Sequence, residues 1–516
     1  MRRQSKGYEI DMCNGTLANK ILLFALPLMA SSLLQLLFNA ADVVVVGQFC
    51  GKASLAAVGS NTALINLLVN LFVGLSVGAN VVVAQDLGAG RKAEANRAVH
   101  TSILLAMISG VVLMIFGVIM ARQMLEWMSS PENVIGLASV YLRIYFIGMP
   151  ATMVYNFGSA ILRAKGDTQR PLYFLLAAGV LNVVLNLFFV IVCRLDVAGV
   201  AMATSISQYV SAWLILRCLM REHGALHLNL HRMHLNKRVI GRIFQVGLPA
   251  GFQGVIFSLS NVVIQSSINS FGDTVMAGSA AAQNIEGFVY AAMNAFYQSA
   301  LTFSGQNYGA GKCDRVDKVA LYCQGFVILT GLILGNLAFF FGSQLLGIYA
   351  PGEPDVIQQG LVRMSYIGRL YAICGIMDTM VGILRGIGYS IVPMVVSLLG
   401  SCVLRLLWVW FVFPLDPVPG NLYISYPITW AITGAVHIIM FLAIRKKAYA
   451  KVQGSGPSYL SVDGHHPQTD RRDRKRRSSE EKKRLGSLRG DLSRFCLFKK
   501  KKSTNRKLFW RHDRLN

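Results

Sequence analysis

The sequence predicts an all-α integral membrane protein, with about twelve transmembrane helices in two six-helix lobes related by a pseudo-twofold axis. Three observations carry this. Apolar runs recur along most of the 516 residues, of which 54% are hydrophobic and only 15% charged, whereas soluble domains carry roughly a quarter charged residues. Lys and Arg gather in alternate connections between those runs. The second half of the chain repeats the first at an interval near 222 residues.

Runs near the roughly 20 residues that cross a hydrocarbon core of about 30 Å fall at 20–46, 54–84, 98–120, 136–158, 170–193 and 197–219. Six more fall at 240–268, 276–303, 319–341, 359–384, 390–413 and 425–444. The polar stretch Met1 to Lys20 leads into an apolar run too long for a signal-peptide core and without a cleavage-like site, so it is expected to stay as the first span. Connections with Arg91, Lys92 and Arg97, with Arg163, Lys165 and Arg170, with Lys237, Arg238 and Arg242, and with Lys312, Arg315 and Lys318 share one side with Arg2, Arg3, Lys6 and the tail. By the positive-inside bias that side is cytoplasmic. Both termini then lie there, which demands an even number of crossings, in a multi-pass protein of the cytoplasmic membrane.

The repeat is in register. Leu26-Pro27 answers to Leu248-Pro249, and Gln85 to Arg91 (QDLGAGR) answers to Gln306 to Lys312 (QNYGAGK). Ile161-Leu162-Arg163 and Pro171 answer to Ile383-Leu384-Arg385 and Pro393, and Pro131 to Pro351. Six crossings per half send both halves into the membrane in the same direction, the parallel-repeat arrangement of some secondary transporters. The chain thus divides into an N-terminal segment 1–19, a first lobe 20–222, a linker 223–239, a second lobe 240–444 and a tail 445–516.

The formal charge of +25 reports this layout before it reports a partner: 23 Lys and Arg against 7 Asp and Glu fall in residues 445–516. The tail, with Arg471 to Arg477 and Lys499 to Lys502, reads as a disordered basic segment. It can lie on anionic lipid and offers no specific nucleic-acid site. Nine scattered cysteines (13, 50, 193, 218, 313, 323, 374, 402 and 496) include no C-x-x-C pair and indicate neither a disulfide framework nor a thiolate metal site. His223, His227 and His231 stand four apart, a metal-ligand spacing if the segment were helical. Their place among Lys and Arg in the linker favours a solvated loop.

Ionisable groups inside spans are expensive and mark function. Asp42 leads these candidates. Gln35, Asn39 and Asp42 share one helix face, and fifteen residues from Pro27 to Asp42 span about 22 Å, toward the outer half. Such a carboxylate can accept a proton or coordinate a small cation. Asn182 and Asn186, one turn apart, can complete a network with it or hold helices together. In the second half Asn261 and Gln265 form a similar pair, and Glu286 and Asp378 lie well inside spans. Asp378 can instead serve a structural role, paired with Arg369 or Arg405. The 27 Phe, 18 Tyr and 20 Met suit an adaptable binding cleft and equally a lipid-facing surface.

Taken as a set, these motifs resemble the multidrug and toxic compound extrusion (MATE) transporters. Leu26-Pro27 through Asn39-Ala40-Ala41-Asp42 to Val46-Gly47 is similar to the family's first helix. Asn182 to Asn186, Gln85 to Gly90, Ile161 to Thr168 and Gly305 to Lys312 are similar to its further signatures. The resemblance covers about residues 17–445 and omits the tail. It implies a two-lobed, V-shaped antiporter, monomeric, that exports amphipathic, often cationic drug-like compounds in exchange for H+ or Na+, with no other cofactor. It also implies that Asp42 couples the ion. Many members place a second acid on helix five where this chain has Asn186, and another branch uses a helix-seven acid whose local match in this chain falls near Phe257. Two rivals are weighed. A flippase of the same broad superfamily, moving a lipid-linked precursor, calls for extra helices and a strongly cationic cavity. A membrane-embedded enzyme calls for paired Asp, a Ser/His pair or a His-rich motif, and His100 and His437 stand isolated.

Overall fold

The computed structural model describes residues 8–50, 52–128 and 132–453, all within one compact unit, Met1–Gly454. Arg2, Arg3, Lys6, Pro131 and both basic blocks of the tail lie outside the described residues. The described chain is helical. The first half comprises α1 (Leu17–Phe49), α2 (Lys52–Gly88), α3 (Lys92–Trp127), α4 (Glu132–Ile147), α5 (Met149–Lys165), α6 (Gln169–Leu187) and α7 (Asp196–Arg221). The second comprises α8 (Lys237–Asn269), α9 (Asp273–Gly309), α10 (Cys313–Phe340), α11 (Gly342–Tyr349), α12 (Pro354–Tyr366), α13 (Tyr371–Gly386), α14 (Ile391–Ser397), α15 (Leu404–Leu407) and α16 (Pro419–Gln453).

Among the described residues nine helical stretches are long and apolar enough to cross a membrane. The count rises to eleven when α4 with α5, bent by 46°, and α12 with α13, bent by 50°, are each taken as one span. Sequence periodicity placed single spans at 136–158 and 359–384; both are broken helices instead. Gly148 and Pro150 account for the first break, since Pro150 donates no backbone hydrogen bond. The 37-residue α9 is long enough to span but is not among the apolar nine; it carries polar residues such as Glu286 and Gln306, both buried in the protein.

The duplication is visible in the backbone. α1 and α8 each have 33 residues and α2 and α9 each have 37. α6 runs on into a π-helical turn, Phe188–Val192, and α15 likewise into Trp408–Val412. Gly90 and Gly311 both adopt φ +71°, a left-handed conformation that glycine takes without a Cβ clash. This is why the Gly-Ala-Gly motif closes α2 and α9 alike.

The helices that open the halves cross over. The N-terminal part of α1 (Ile21, Phe24, Leu28) packs among α9, α10 and α13 of the second half, whereas Val45 and Val46 pack in the first-half core. α8 does the reverse: Val239 and Ile243 join the first-half core, while Ile264 and Ile268 pack in the second half. Asn236 starts α8 as an N-cap, its side chain accepting from the amides of Arg238 and Val239 at 3.1 and 3.2 Å.

The halves meet tightly at the end that carries the basic loops. The Gln85 amide donates to Gly386 O at 2.9 Å and the Gln306 amide to Ala164 O at 2.6 Å. Residues 8–16 strap this end. Ile10 N donates to Gly166 O of the first half, while Asn307 and Arg315 of the second donate to Met12 O. Lys165 binds both Glu9 and Glu222. Burial raises the Glu222 carboxyl, but hydrogen bonds from Lys165 and Arg170 outweigh that and hold it below its ordinary value, so Glu222 stays charged at neutral pH. The linker is pinned rather than simply solvated, with Leu226 and Leu228 buried and Asn229 N donating to His100 Nε2 at 3.0 Å. It forms two short 3-10 turns, so His223, His227 and His231 do not share a helix face.

Candidate functional site

Away from the strapped end each half holds a polar cluster. In the first, α1 approaches α6 closely because Gly179 has no side chain: a Cβ there would lie 1.8 Å from the Phe38 ring. Two turns further along α6, Asn186 donates its amide to Asp42 Oδ1. Thr204 of α7 reaches Asp42 Oδ2 at 3.4 Å, and the Asn182 amide donates to Thr204 Oγ1 at 3.2 Å. Asn186 also contacts Asn182 Oδ1 at 3.3 Å. Asn186 is fully buried and Asp42 half-buried. All of these partners are neutral donors. Among the described residues no basic group lies within ion-pair distance of Asp42.

Gln35 and Asn39 share the helix face of Asp42 but not its network. Both are exposed, because the face that meets α6 at Asp42 looks into open space one and two turns earlier.

The second half encloses a cavity of about 350 Å³. It is lined by four of the residues singled out in the sequence, Asn261, Gln265, Glu286 and Asp378, which come from α8, α9 and α13. Glu286 is not free. Arg363 of α12 contacts both its carboxylate oxygens, the closest approach being 2.9 Å, and donates to Ser279 Oγ at 3.1 Å. Both members of this pair are 4% exposed. Asp378 accepts from Tyr290 OH at 3.2 Å. Neither Arg369 nor Arg405 lies within ion-pair distance of it, so the structural pairing weighed for Asp378 does not form. Arg369 stands over the Phe339 ring instead, and Gln265 donates to Asn269 at 2.9 Å. Phe257 lines the cavity as well.

The buried pair predicts a stability effect. Removing one member of such a pair strands the other and costs about 3–5 kcal/mol, whereas apolar replacement of both is often neutral. Glu286→Gln is therefore expected to lower the melting temperature of purified protein sharply, and Glu286→Gln with Arg363→Met to recover most of that loss.

Sequence reasoning missed Arg363 and Thr204. Arg363 sits in a span and meets the same test that singled out Glu286, so its signal was present. Thr204 is one hydroxyl among many in α7 and carried none.

Comparison with known proteins follows the same duplication. The MatE family model matches residues 27–188 and 249–411, more than half the chain. The chain belongs to the MatE family. Similar proteins include the "Probable multidrug resistance protein YpnP" of Bacillus subtilis (strain 168), 28% identical over 77% of this chain and 88% of that protein. The "Probable multidrug resistance protein NorM" of Thermotoga maritima is 24% identical over 75% and 84%, and the "FAD transporter" of Shewanella oneidensis is 24% identical over 66% and 75%. Among solved structures, an outward-facing multidrug resistance MATE family transporter of the MOP superfamily matches with a TM-score of 0.80 at 20% identity, covering 88% of this chain and all of that one. As a MatE-family member the protein is a multi-pass membrane transporter and not an enzyme, with the two-lobed fold of its structural neighbours.

Proposed function

We propose that this MatE-family transporter exports amphipathic, often cationic drug-like compounds across the cytoplasmic membrane in exchange for H+ or Na+, working as a monomer by alternating access. The observation that carries the reading is Asp42, half-buried between α1, α6 and α7, held by neutral donors and without a basic partner among the described residues. A proton or a small cation supplies the missing positive charge, and only a group whose occupancy changes can couple a gradient to transport. With the basic end cytoplasmic, the contacts around Gln85 and Gln306 close the inner side and Asp42 loads from outside. The lobes then rock about the region where α1 and α8 cross over. Coupling requires only that ion and drug prefer different states.

The names of the Bacillus and Thermotoga relatives support drug export. The Shewanella relative's name shows that similar proteins carry other cargo. The flippase reading gains nothing from a cavity that balances two arginines against two carboxylates.

The test is efflux of a cationic dye by cells of a pump-deficient host, with Na+ varied at fixed pH and pH varied at fixed Na+. Efflux is expected to follow one of these two gradients. Efflux indifferent to both, or no efflux above the empty host, overturns the proposal.

A further inference from the structure

We infer that residues 8–16 act as an inner latch that travels with the second half, and that each transport cycle parts them from the first half at Glu9–Lys165 and Ile10–Gly166. The inference deepens the alternating-access reading above and rests on it.

The strap is bonded unequally to the two halves. On the second-half side Met12 is fully buried in the core to which α9, α10 and α13 contribute. Its carbonyl accepts from Asn307 Nδ2 at 3.1 Å and from Arg315 Nη2 at 3.2 Å. Lys312 Nζ donates to Cys13 O at 2.9 Å and to Asn14 Oδ1 at 2.8 Å, and Arg315 Nη1 to Gly15 O at 3.1 Å. Asp11 stiffens the segment by accepting from the amides of Cys13 and Asn14 at 3.0 and 3.2 Å. Lys20, in the first turn of α1, donates to Asp11 O and Asn14 O, both at 2.7 Å. That end of α1 itself packs in the second half. Strap, start of α1 and second half form one body.

The first half holds the strap at one end. Ile10 N donates to Gly166 O at 3.2 Å, and Glu9 pairs with Lys165. Gly166 is shaped for this contact: its φ is +105°, and a Cβ there would lie 2.4 Å from Ile10 O. The repeat separates weld from latch. At the 222-residue interval, residues 8–16 correspond to linker residues 230–238. There Thr101 of α3 donates to His234 O and accepts from Asn236 N, both at 3.3 Å. Each segment is thus welded to the half in which the start of its own following helix packs. Glu9 and Ile10 depart from that pattern by reaching the other half as well.

Opening the inner end separates Gln306 from Ala164 and Gln85 from Gly386, so a segment bonded to both halves releases one of them. Release at Glu9 strands no buried charge. Glu9 is 46% exposed and returns to water, while Lys165 keeps Glu222 at 2.6 Å. An exposed pair of this kind shifts the balance of closed and open states about 5-fold at most. The latch therefore biases the resting state without blocking turnover.

The experiment uses full-length protein with Cys13, Cys50, Cys193, Cys218 and Cys496 replaced by serine, the other cysteines being buried. New cysteine pairs are closed with a short bis-methanethiosulfonate. Glu9→Cys with Lys165→Cys spans the latch, and Asn14→Cys with Lys312→Cys spans the weld. Closing the latch pair is expected to stop dye efflux, and dithiothreitol to restore it. Closing the weld pair to the same extent should leave efflux unchanged. Efflux that continues with the latch pair closed overturns the inference and leaves export standing. Loss of efflux on closing the weld pair does the same, because the strap would then have to leave the second half. A second measurement needs no transport. In purified protein carrying Gly88→Val, whose added side chain crowds Gln306 O, the latch pair should crosslink poorly and the weld pair as before. Equal or reversed yields overturn the inference. Should the unmodified protein export no dye, the export reading fails and these yields alone decide where the strap is held.

Discussion

Asp42→Asn is expected to abolish export, dropping resistance to that of the host without a pump, while the yield and gel-filtration profile of the folded protein stay as before. The amide is nearly the same size; its oxygen can accept from Asn186 and its NH2 can donate to the Thr204 hydroxyl, so the contacts that hold α1 against α6 and α7 persist. What disappears is the ability to gain and lose a charge. An amide in a network of neutral donors presents the same state whichever way the lobes tilt, and an ion with no differential affinity for two states shifts neither. Asp42→Glu is the companion measurement: it keeps the ionisable group one methylene further out and should retain part of the activity. Full export by Asp42→Asn, measured in the same host at matched expression, removes Asp42 from the mechanism.

The parts of this architecture written in local sequence were legible, and those that depend on which helices become neighbours were not. Leu26-Pro27 with Leu248-Pro249, and the two Gly-Ala-Gly loops, exposed the duplication because each motif has a backbone reason to recur; Gly90 and Gly311 share a φ of +71°. Helical spacing put Asn182 beside Asn186 and both within a plausible distance of Asp42. The same spacing grouped Gln35 and Asn39 with Asp42, yet periodicity says only which residues share a face, not what the face meets. The crossing of α1 and α8 between halves has no local signature, since Ile21, Phe24 and Leu28 are equally suited to either lobe's core. The broken spans blurred for a related reason. Hydropathy runs smoothly through Gly148 and through residues 367–370, whereas the bends of 46° and 50° express how α5 and α13 pack on α2 and α9. Arg363 shows a different limit: a charge in an apolar run is visible, but that it fastens Glu286 rather than serving a ligand depends on α9 and α12 lying side by side.

Gly88→Val and Gly309→Val should each force the strapped end apart, and by the same amount. A Cβ at Gly88 would lie 1.9 Å from Gln306 O, and one at Gly309 would lie 2.1 Å from Gln85 O. Both obstacles are backbone atoms, so no side chain can swing aside and the helices themselves must separate. These two sites are repeat partners, each glycine facing the glutamine one turn before the other, so the strain enters the interface symmetrically. Overpacking of this kind costs about 1–3 kcal/mol after relaxation, which moves a two-state equilibrium about 5- to 150-fold. The readout is Cys13, a strap residue whose Sγ lies 3.8 Å from Gln306 Oε1. Its alkylation by a bulky maleimide, mapped by mass spectrometry, should rise in both variants while dye efflux falls. Gly325→Val, where a Cβ meets nothing within 4 Å, should change neither. If either interface variant leaves Cys13 as protected as before and exports at full rate, closure at this end is not part of the transport cycle. A state that must form in every turnover cannot carry a clash with the main chain and still cycle normally.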